Sequence, residues 1–305
     1  MKIRLLCILL FVPVVLNAYE RPGSSTGQFL NIGVSPRGVA MGDAFVSETK
    51  GAEAVYYNAA AMARVKGTSF TANHTDWFAG MNLDFLAVTH QIGRDDFLGI
   101  SATSFYTDQM KVRTPLQPDG TGETFSVSHL RFGISYARLL TNHVSFGATV
   151  SYLHLKLFTN MEDDAFTADI SALYDTKNRG FSFGLAISNF GSSVTYINKD
   201  YPMPLNFTFG LGINAIENVD QKLKISLAAV KPSGGETKLN SGMEWIYKNY
   251  VFLRAGYRFN HALATYSAGF GVNIQLGDFS SQLDYSISDY SQFGYVNRFG
   301  LSLQF

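Results

Sequence analysis

Residues Tyr295 to Phe305 have the sequence YVNRFGLSLQF, and this stretch decides the fold. Its large apolar residues, at positions 295, 299, 301, 303 and 305, share one face of an extended chain. The opposite face carries Arg298, Gly300, Ser302 and Gln304, and only Val296 and Asn297 interrupt the alternation. A strand whose outer face contacts lipid and whose inner face contacts an aqueous lumen requires this pattern. The stretch therefore predicts the last strand of an outer-membrane β-barrel, ending on phenylalanine.

The same alternation recurs along the chain and predicts fourteen strands. It is clearest at 205–214 and 266–276, where small and polar residues alternate with large apolar ones. Similar segments are 144–157, 181–189, 222–230, 239–247, 250–259 and 278–288, and weaker ones are 68–75, 83–92, 96–107, 125–138 and 164–174. Twelve or sixteen strands also fit, because a sequence pattern places strand ends only to within a few residues.

The lengths of the connections agree with a barrel that has both chain ends in the periplasm. Such barrels have short periplasmic turns and longer outer loops. Connections after even-numbered segments are tight, as at Gly93 to Asp95 and Tyr247 to Tyr250. The two longest, about 107–124 and 190–204, follow the third and seventh segments. An even number of strands explains this parity.

Composition excludes two other classes of protein. The chain has 305 residues with 28 Gly, 25 Phe, 16 Tyr and 2 Trp. Outside its first twenty residues, no apolar run approaches the roughly 20 residues of a membrane-spanning helix. The 24 basic residues balance the 24 acidic ones, whereas nucleic-acid binding needs a basic excess. We therefore expect neither a helical membrane protein nor a nucleic-acid partner.

The first eighteen residues have the organisation of a signal peptide. Lys2 and Arg4 precede an apolar run, which ends before the small residue Ala18. The only cysteine, Cys7, lies within this run, so the mature chain has no thiol and forms no disulfide. Export fits the bacterial outer membrane, and a soluble periplasmic protein is the alternative.

The predicted inner face of the barrel carries charges as well as Gly, Ser, Asn, Gln and Thr. The charged residues that alternate with apolar neighbours are Glu244, Arg254, Arg258, Asp284 and Arg298. One interpretation is a selectivity or ligand-binding lattice. The other is charge-paired filling that braces a narrow barrel, since inward polar residues are general in such barrels.

Residues 19–66 lack the alternation and precede the barrel, which we assign to 67–305. Ser35 and Pro36 form an N-cap and first-turn pair that predicts a short helix, and Ala52 to Ala63 predicts a second. We interpret the segment as a plug within the lumen. A disordered periplasmic tail is the alternative, but Phe29, Val39 and Phe45 require burial.

Two parts of this segment resemble the amino-terminal signature of the PorV/PorQ family, a FadL-like group of outer-membrane barrels. They are GQFLNIGVSPRGVAMGDAFV at 27–46 and AVYYNAAAMA at 54–63, where Ala59 and Ala61 replace the usual Pro and Gly. Further matches include HTDW at 74–77, SNFG at 188–191, PMPL at 202–205 and EWIY at 244–247. Within the plug, the residues of interest are Asn31, Gly33, Arg37, Gly38, Met41, Gly42, Asp43 and Asn58.

The resemblance implies a type IX secretion component, a shuttle that binds the carboxy-terminal signal domain of exported cargo and works with other secretion-machinery proteins in outer-membrane lipid. Cargo contacts would lie on outer loops, with Trp77 and Phe78 exposed near the mouth; the candidate residues are Asp76, Trp77, Phe78, Lys111, Arg113, Leu116 and Asp119. An exposed aromatic residue is a plausible docking anchor, although an interfacial Trp that marks membrane height is an equal alternative. The other candidate function is FadL-like transport of a hydrophobic small molecule. Transport predicts a ligand cavity between plug and wall, opened by movement near Asn31 to Asp43.

No residue pattern indicates an enzyme or a cofactor site. The six histidines are dispersed without metal-ligand spacing. No nucleophile elbow, P-loop or dinucleotide fingerprint occurs. Asp163 and Asp164, which follow Glu162, could bind calcium at a loop, but a solvated charge run explains them better. We therefore expect no catalytic activity, no cofactor and no metal.

Overall fold

A computed structural model describes residues 24–158, 161–176, 179–277 and 279–305. The predicted signal peptide 1–18, with Cys7, lies outside the described residues, as do residues 19–23 of the predicted plug. Within the described part of the chain, none of the helices has the length and apolar content that crossing a membrane as a helix requires.

Fourteen antiparallel strands close into one barrel, which confirms the predicted fold and strand count. Observed and predicted strand ends differ by a few residues. The strands are β1 (Thr68–Asp76), β2 (Met81–Gln91), β3 (Asp96–Thr107), β4 (Ser128–Leu139), β5 (Val144–Phe158), β6 (Met161–Asp175), β7 (Ser182–Gly191), β8 (Asn206–Glu217), β9 (Gln221–Pro232), β10 (Lys238–Tyr247), β11 (Val251–Phe259), β12 (Tyr266–Leu276), β13 (Phe279–Asp289) and β14 (Tyr295–Gln304).

The barrel closes where the first strand pairs with the last. Ser69 of β1 lies opposite Gln304 of β14, and the Thr68 amide donates to the Phe305 carbonyl at 3.0 Å. Connections after even-numbered strands are short turns. The long outer connections, 108–127 and 192–205, follow β3 and β7 and each contain a short hairpin. This parity places both ends of the barrel domain, Thr68 and Phe305, at the periplasmic rim.

The outer surface of the barrel is an apolar belt. Large side chains on the lipid-facing positions of the strands are about half exposed or more, among them Phe132, Ile134, Phe166, Phe270, Leu283 and Phe299. A surface of this kind is unfavourable in water and favourable against hydrocarbon. It is the lipid-contacting face that the alternation predicts.

The plug lies inside the barrel and consists of short helices joined by tight turns. α1 (Pro36–Ala40) begins at the predicted cap, where the Ser35 hydroxyl accepts a hydrogen bond from the Gly38 amide at 3.1 Å. The other helices are 3-10 segments at Gln28–Asn31, Gly51–Glu53 and Ala59–Arg64, and α2 (Ala54–Tyr57). The predicted continuous helix over 52–63 is wrong, because Asn58 is extended, with φ −165° and ψ 93°, and separates two helical pieces.

The inner wall of the barrel has two different halves. On β2 to β6 the inward positions include Leu83, Phe85 and Leu153, which pack against Val55 and Met62 of the plug. The inner faces of β10 to β14 instead carry the predicted charges. The first half therefore combines the polar inward residues that the sequence predicts with large apolar ones that it did not identify. Packing against the plug makes that half an internal hydrophobic core.

Glycines on the wall let the plug backbone approach it closely. Gly42 of the plug adopts φ +64°, and a Cβ there would lie 2.8 Å from the Ser241 carbonyl oxygen of β10. A Cβ on Gly256 of β11 would collide with the Gly42 amide. A side chain at either position would therefore displace the plug.

Candidate functional site

Two sizeable cavities lie within the described part of the lumen, one at each end of the barrel, with the plug between them. The outer cavity has a volume of about 440 Å³ and lies between the plug and the outer ends of β7 to β10. The inner cavity has a volume of about 380 Å³ and lies at the periplasmic ends of β9 to β14 and β1. Each volume falls in the usual range for a small-molecule pocket.

The outer cavity combines an apolar wall with a few polar groups. Its apolar lining residues include Leu30, Val46, Tyr56, Leu205 and Val230. At its polar side, Asn206 Nδ2 donates to Asn31 Oδ1 at 2.7 Å, and a ring nitrogen of His261 lies 3.0 Å from Asn240 Oδ1. Burial, with the positive charges of Lys238 and Arg258, lowers the pKa of His261 to about 4. His261 is therefore neutral at physiological pH, which leaves Lys238 as a positive charge on this wall.

A stack of three side chains separates the two cavities, and we call it the central barrier. Tyr57 lines the outer cavity and Arg37 lines the inner one. Between them lies Phe45, which is fully buried, with its ring centroid 5.1 Å from that of Tyr57 and 5.2 Å from the Arg37 Cζ. Edge-to-face and cation–π contacts of this kind are favourable. The central barrier therefore forms part of the packed plug that lies between the two cavities.

A buried ion network connects the central barrier to the wall. Arg37 Nε and Arg254 Nε both donate to Glu244 Oε1, at 2.8 and 2.7 Å. Arg254 Nη1 also donates to Asp284 Oδ1 at 2.6 Å. Glu244 and both arginines are buried, and buried opposite charges are strongly coupled when their hydrogen bonds are satisfied.

Three further ion pairs fix other parts of the plug. Arg258 Nη2 lies 2.9 Å from Asp43 Oδ2, Lys224 Nζ lies 2.9 Å from Glu48 Oε2, and Arg64 Nε lies 2.8 Å from Asp175 Oδ2. In each pair one partner is on the plug and the other is on the wall. The pairs are therefore distributed along the whole plug, and this geometry favours the bracing interpretation of the charged inner face.

Arg298, the fifth predicted luminal charge, is fully buried and has no carboxylate partner among the described residues. Its guanidinium donates to the Gly33 carbonyl and to Ser288 Oγ, both at 3.3 Å, and lies 5.4 Å from the Trp77 ring. Arg298 thus joins the plug to the first outer loop.

The predicted plug residues take three positions. Asn31, Gly33 and Asp43 line the outer cavity, and Arg37 lines the inner one. Gly38, Met41 and Gly42 are buried in the packing of plug and wall. Asn58 Nδ2 donates to the Val46 carbonyl at 2.9 Å and to the Ala172 carbonyl at 3.2 Å, so Asn58 joins two plug segments to β6.

The predicted outer-loop residues divide into two groups. Lys111, Arg113, Leu116 and Asp119 are exposed on loop 108–127, with Leu116 94% exposed. Asp76 is the exposed last residue of β1.

The expectation that Trp77 and Phe78 are exposed at the mouth is wrong. Both are half-buried, because their rings pack with Tyr290 and Phe293. The Trp77 to Tyr290 and Phe78 to Phe293 centroid distances are both 4.9 Å.

Several residues at the site were not identified from the sequence. Phe45 was recognised only as apolar, and Glu48, Lys50, Glu53, Lys224 and Asp175 were not singled out. Charged residues inside an otherwise apolar, glycine-containing segment were the available signal, but the ion-pair partners of Glu48 and Arg64 lie more than a hundred residues away. Across the described ranges, no group of three or more His, Cys, Asp or Glu side chains is placed to hold a metal ion.

Solved structures with the same architecture are outer-membrane transporters. The toluene transporter TbuX of Ralstonia pickettii is 12% identical, with a TM-score of 0.62 over 89% of this chain and 97% of that one. The toluene transporter TodX of Pseudomonas putida is 14% identical, with a TM-score of 0.60 over 93% and 97%. A FadL homologue of Pseudomonas aeruginosa is 12% identical, with a TM-score of 0.54 over 94% and 99%.

No protein-family model and no curated protein matches the sequence. At such low identities the structural likeness establishes the fold. The chain has the barrel fold of these FadL-like outer-membrane proteins.

Proposed function

We propose that the protein is an outer-membrane channel for a small molecule with an apolar body and a polar group. The observation that carries this proposal is the outer cavity, which lies between plug and wall where a transport function predicts it. Its apolar side chains suit the body of such a molecule, and Asn189 and Lys238 offer hydrogen-bond donors to its polar group. The FadL-like fold and the transport function named for TbuX and TodX support it.

Passage requires the central barrier to move, because Tyr57, Phe45 and Arg37 separate the two cavities. A ligand shifts this equilibrium only if it binds the open arrangement more tightly than the closed one. A molecule that contacts Tyr57 and Asp43 in the outer cavity is placed to do so, since both residues belong to the plug. The proposed route therefore leads from the outer cavity, past a displaced plug segment 31–43, to the inner side.

Flux into vesicles tests the channel. Purified protein reconstituted in liposomes should accelerate entry of benzoate or benzyl alcohol, and Val46→Trp, which fills the outer cavity, should abolish the acceleration. Val251→Trp, on the lipid-facing side of β11, is the matched control and should have no effect. Equal flux for the wild type, Val46→Trp and protein-free liposomes would contradict the proposal.

A second candidate is a type IX secretion shuttle of the PorV/PorQ kind, with exported cargo and secretion-machinery proteins as partners. Two observations favour it: the resemblance of residues 27–46 to that family, and the almost fully exposed Leu116 on loop 108–127. Exposed apolar side chains in a polar setting are typical anchors for protein partners. The closed lumen also suits a protein whose work is done on outer loops.

Co-purification from native membranes distinguishes the two candidates. A shuttle should retain secreted proteins, and Leu116→Glu should weaken that retention. Ile197→Glu changes an equally prominent side chain, 72% exposed, on the other long loop and serves as the control. If no secreted protein co-purifies, the shuttle candidate fails. For both candidates we propose a non-catalytic role, and esterase activity of the purified barrel would contradict it.

A further inference from the structure

The inner cavity is a second polar site that transport through the outer cavity does not explain. It opens toward the periplasm, and its lining is dominated by charged and amide side chains rather than apolar ones. Four of its lining residues are basic: Arg37 and Lys50 from the plug, and Lys222 and Lys224 from β9. Three are acidic: Glu53, Glu244 and Asp284.

The acidic side chains are already engaged. Glu244 accepts from two guanidinium groups, and Asp284 accepts from Arg254 at 2.6 Å and from Gln282 Nε2 at 2.7 Å. Glu53 accepts from Ser35 Oγ at 2.6 Å, and burial raises the pKa of its carboxyl group. A raised pKa favours the neutral form, so Glu53 offers little negative charge to the cavity.

The basic side chains are satisfied less completely. Lys222 and Lys224 each have a carboxylate partner, on Glu217 and Glu48, but Lys50 forms no ion pair within the part of the chain that the structure describes. Lys50 is exposed to the cavity. Arg37, which is buried, keeps its Nη1 without an acceptor. Lys50 is therefore the cation on this lining that lacks a carboxylate partner among the described residues.

Enclosure by the plug and the barrel is the main influence on the Lys50 amine, and nearby cations add to it. Burial of the amine within the lumen, together with the Arg37 guanidinium and the Lys224 ammonium, lowers the pKa of Lys50 to about 8, and Glu244 and Glu53 offset this only in part. The amide side chains of Asn249, Asn273 and Gln304 on the same lining add further hydrogen-bonding capacity. An anion would relieve the repulsion among these cations.

We propose that the inner cavity is a binding site for a small periplasmic anion that carries carboxylate or phosphate groups, with Lys50 as its main contact and Lys222 and Arg37 beside it. The site belongs to the inner face, so it does not depend on which molecule the outer cavity takes. Its volume of about 380 Å³ admits a metabolite-sized anion and excludes a folded domain.

The reactivity of Lys50 provides a direct test. Purified folded barrel is pulsed with an N-hydroxysulfosuccinimide ester of acetic acid, with and without citrate or inorganic phosphate, and acetylation of each lysine is measured by mass spectrometry. Lys50 should be protected about tenfold when the probe exceeds its dissociation constant by about tenfold, because the reagent reaches only the empty fraction. Lys66, exposed outside the inner cavity, should react at an unchanged rate.

A charge variant tests the location of the site. Lys222→Gln removes a lining cation and should weaken citrate binding about three- to tenfold, the effect of one unit charge at several ångströms in a partly hydrated cavity. Lys248→Gln removes an exposed lysine from a periplasmic turn outside the cavity and should leave binding unchanged. Gel mobility before and after boiling shows that each variant is folded.

The proposal is overturned if neither citrate nor phosphate slows acetylation of Lys50 relative to Lys66. It is also overturned if Lys222→Gln and Lys248→Gln weaken protection equally, since that result indicates ionic screening rather than a site.

Discussion

Replacing Phe45 with alanine should open a path between the two cavities. Phe45 is fully buried between Tyr57 and Arg37, with its ring centroid 5.1 Å from the Tyr57 ring and 5.2 Å from the Arg37 Cζ. The vacated volume would hold on the order of three water molecules, at about 30 Å³ each. Because the site adjoins Arg37 and two hydrated cavities, it should fill with water rather than stay dry.

The energetic cost of Phe45→Ala should be large but local. A buried Phe→Ala change costs about 3–5 kcal/mol, which includes the lost aromatic and cation–π contacts. That cost falls on the plug, whereas the barrel strands keep their full hydrogen-bond ladder. The variant should therefore remain a folded barrel with a leaking lumen.

Conductance across planar lipid bilayers measures the opening. The wild-type barrel should conduct rarely, and Phe45→Ala should show a raised, steady conductance for small ions. Phe85→Ala is the matched control, because Phe85 of β2 is equally buried, but its ring packs on Tyr56 of the plug and not on Phe45 or Arg37. The reasoning is refuted if Phe45→Ala is folded and conducts no more than the wild type or Phe85→Ala.

Further outcomes follow from the ion pairs and from the path of the plug. Glu244→Gln leaves the buried Arg37 guanidinium without its carboxylate and leaves Arg254 with Asp284 alone, and it should lower the free energy of unfolding by about 3–5 kcal/mol in urea titrations. Glu162→Gln, at an exposed pair of 3.9 Å, should cost less than about 1 kcal/mol. Acetylation of Lys50 should reach half its maximal rate near pH 8 instead of near its ordinary pKa of 10.5. Because the folded protein disfavours the protonated amine, Lys50 should lower the free energy of unfolding by a constant amount below pH 8, and this effect should disappear as the pH rises to 10.5. Lys50→Gln should therefore stabilise the protein most at low pH. Ser24→Cys in intact cells should react with a membrane-impermeant maleimide, because residues 24–26 reach the outer loop at Pro202. Absence of labelling would contradict the placement of the start of the plug at the outer end of the barrel.

The strands could be predicted wherever lipid lies on one side and polar groups lie on the other. β14, β12 and β8 meet this condition, and their alternation in sequence is strong. β2 and β3 do not, because Leu83, Phe85 and Phe97 point inward to the plug while their outward neighbours face lipid. Both faces are then apolar, and the alternation weakens for a physical reason.

The site could be predicted only in part, because its contacts depend on how the plug is aligned with strands that are distant in sequence. The sequence shows that Arg37 is a charged residue of the plug and that Glu244 is a charged inward residue of a strand. It does not show that the two side chains pair across 207 residues, because that depends on which end of α1 faces β10. The barrier residue Phe45 is one apolar side chain among many until Tyr57 and Arg37 are placed on either side of it.

Trp77 illustrates the same limit at the outer loops. A tryptophan at the end of a strand predicts either an exposed anchor or an interfacial ring. The buried guanidinium of Arg298, on the neighbouring β14, holds Trp77 in a half-buried position instead. Both predictions use only the residues near Trp77 in the sequence, so neither includes Arg298, which is 221 positions away.

The close approach of Gly42 to β10 and β11 has a consequence for biogenesis. The plug precedes β1 in the chain, β1 pairs with β14, and the plug backbone meets the wall where even a methyl group does not fit. If the barrel closed first, the plug would have to enter a narrow lumen and form its ion pairs and these close backbone contacts there. We therefore infer that residues 24–66 enter the lumen before β1 pairs with β14. Membrane insertion of the barrel and placement of the plug then occur in the same step.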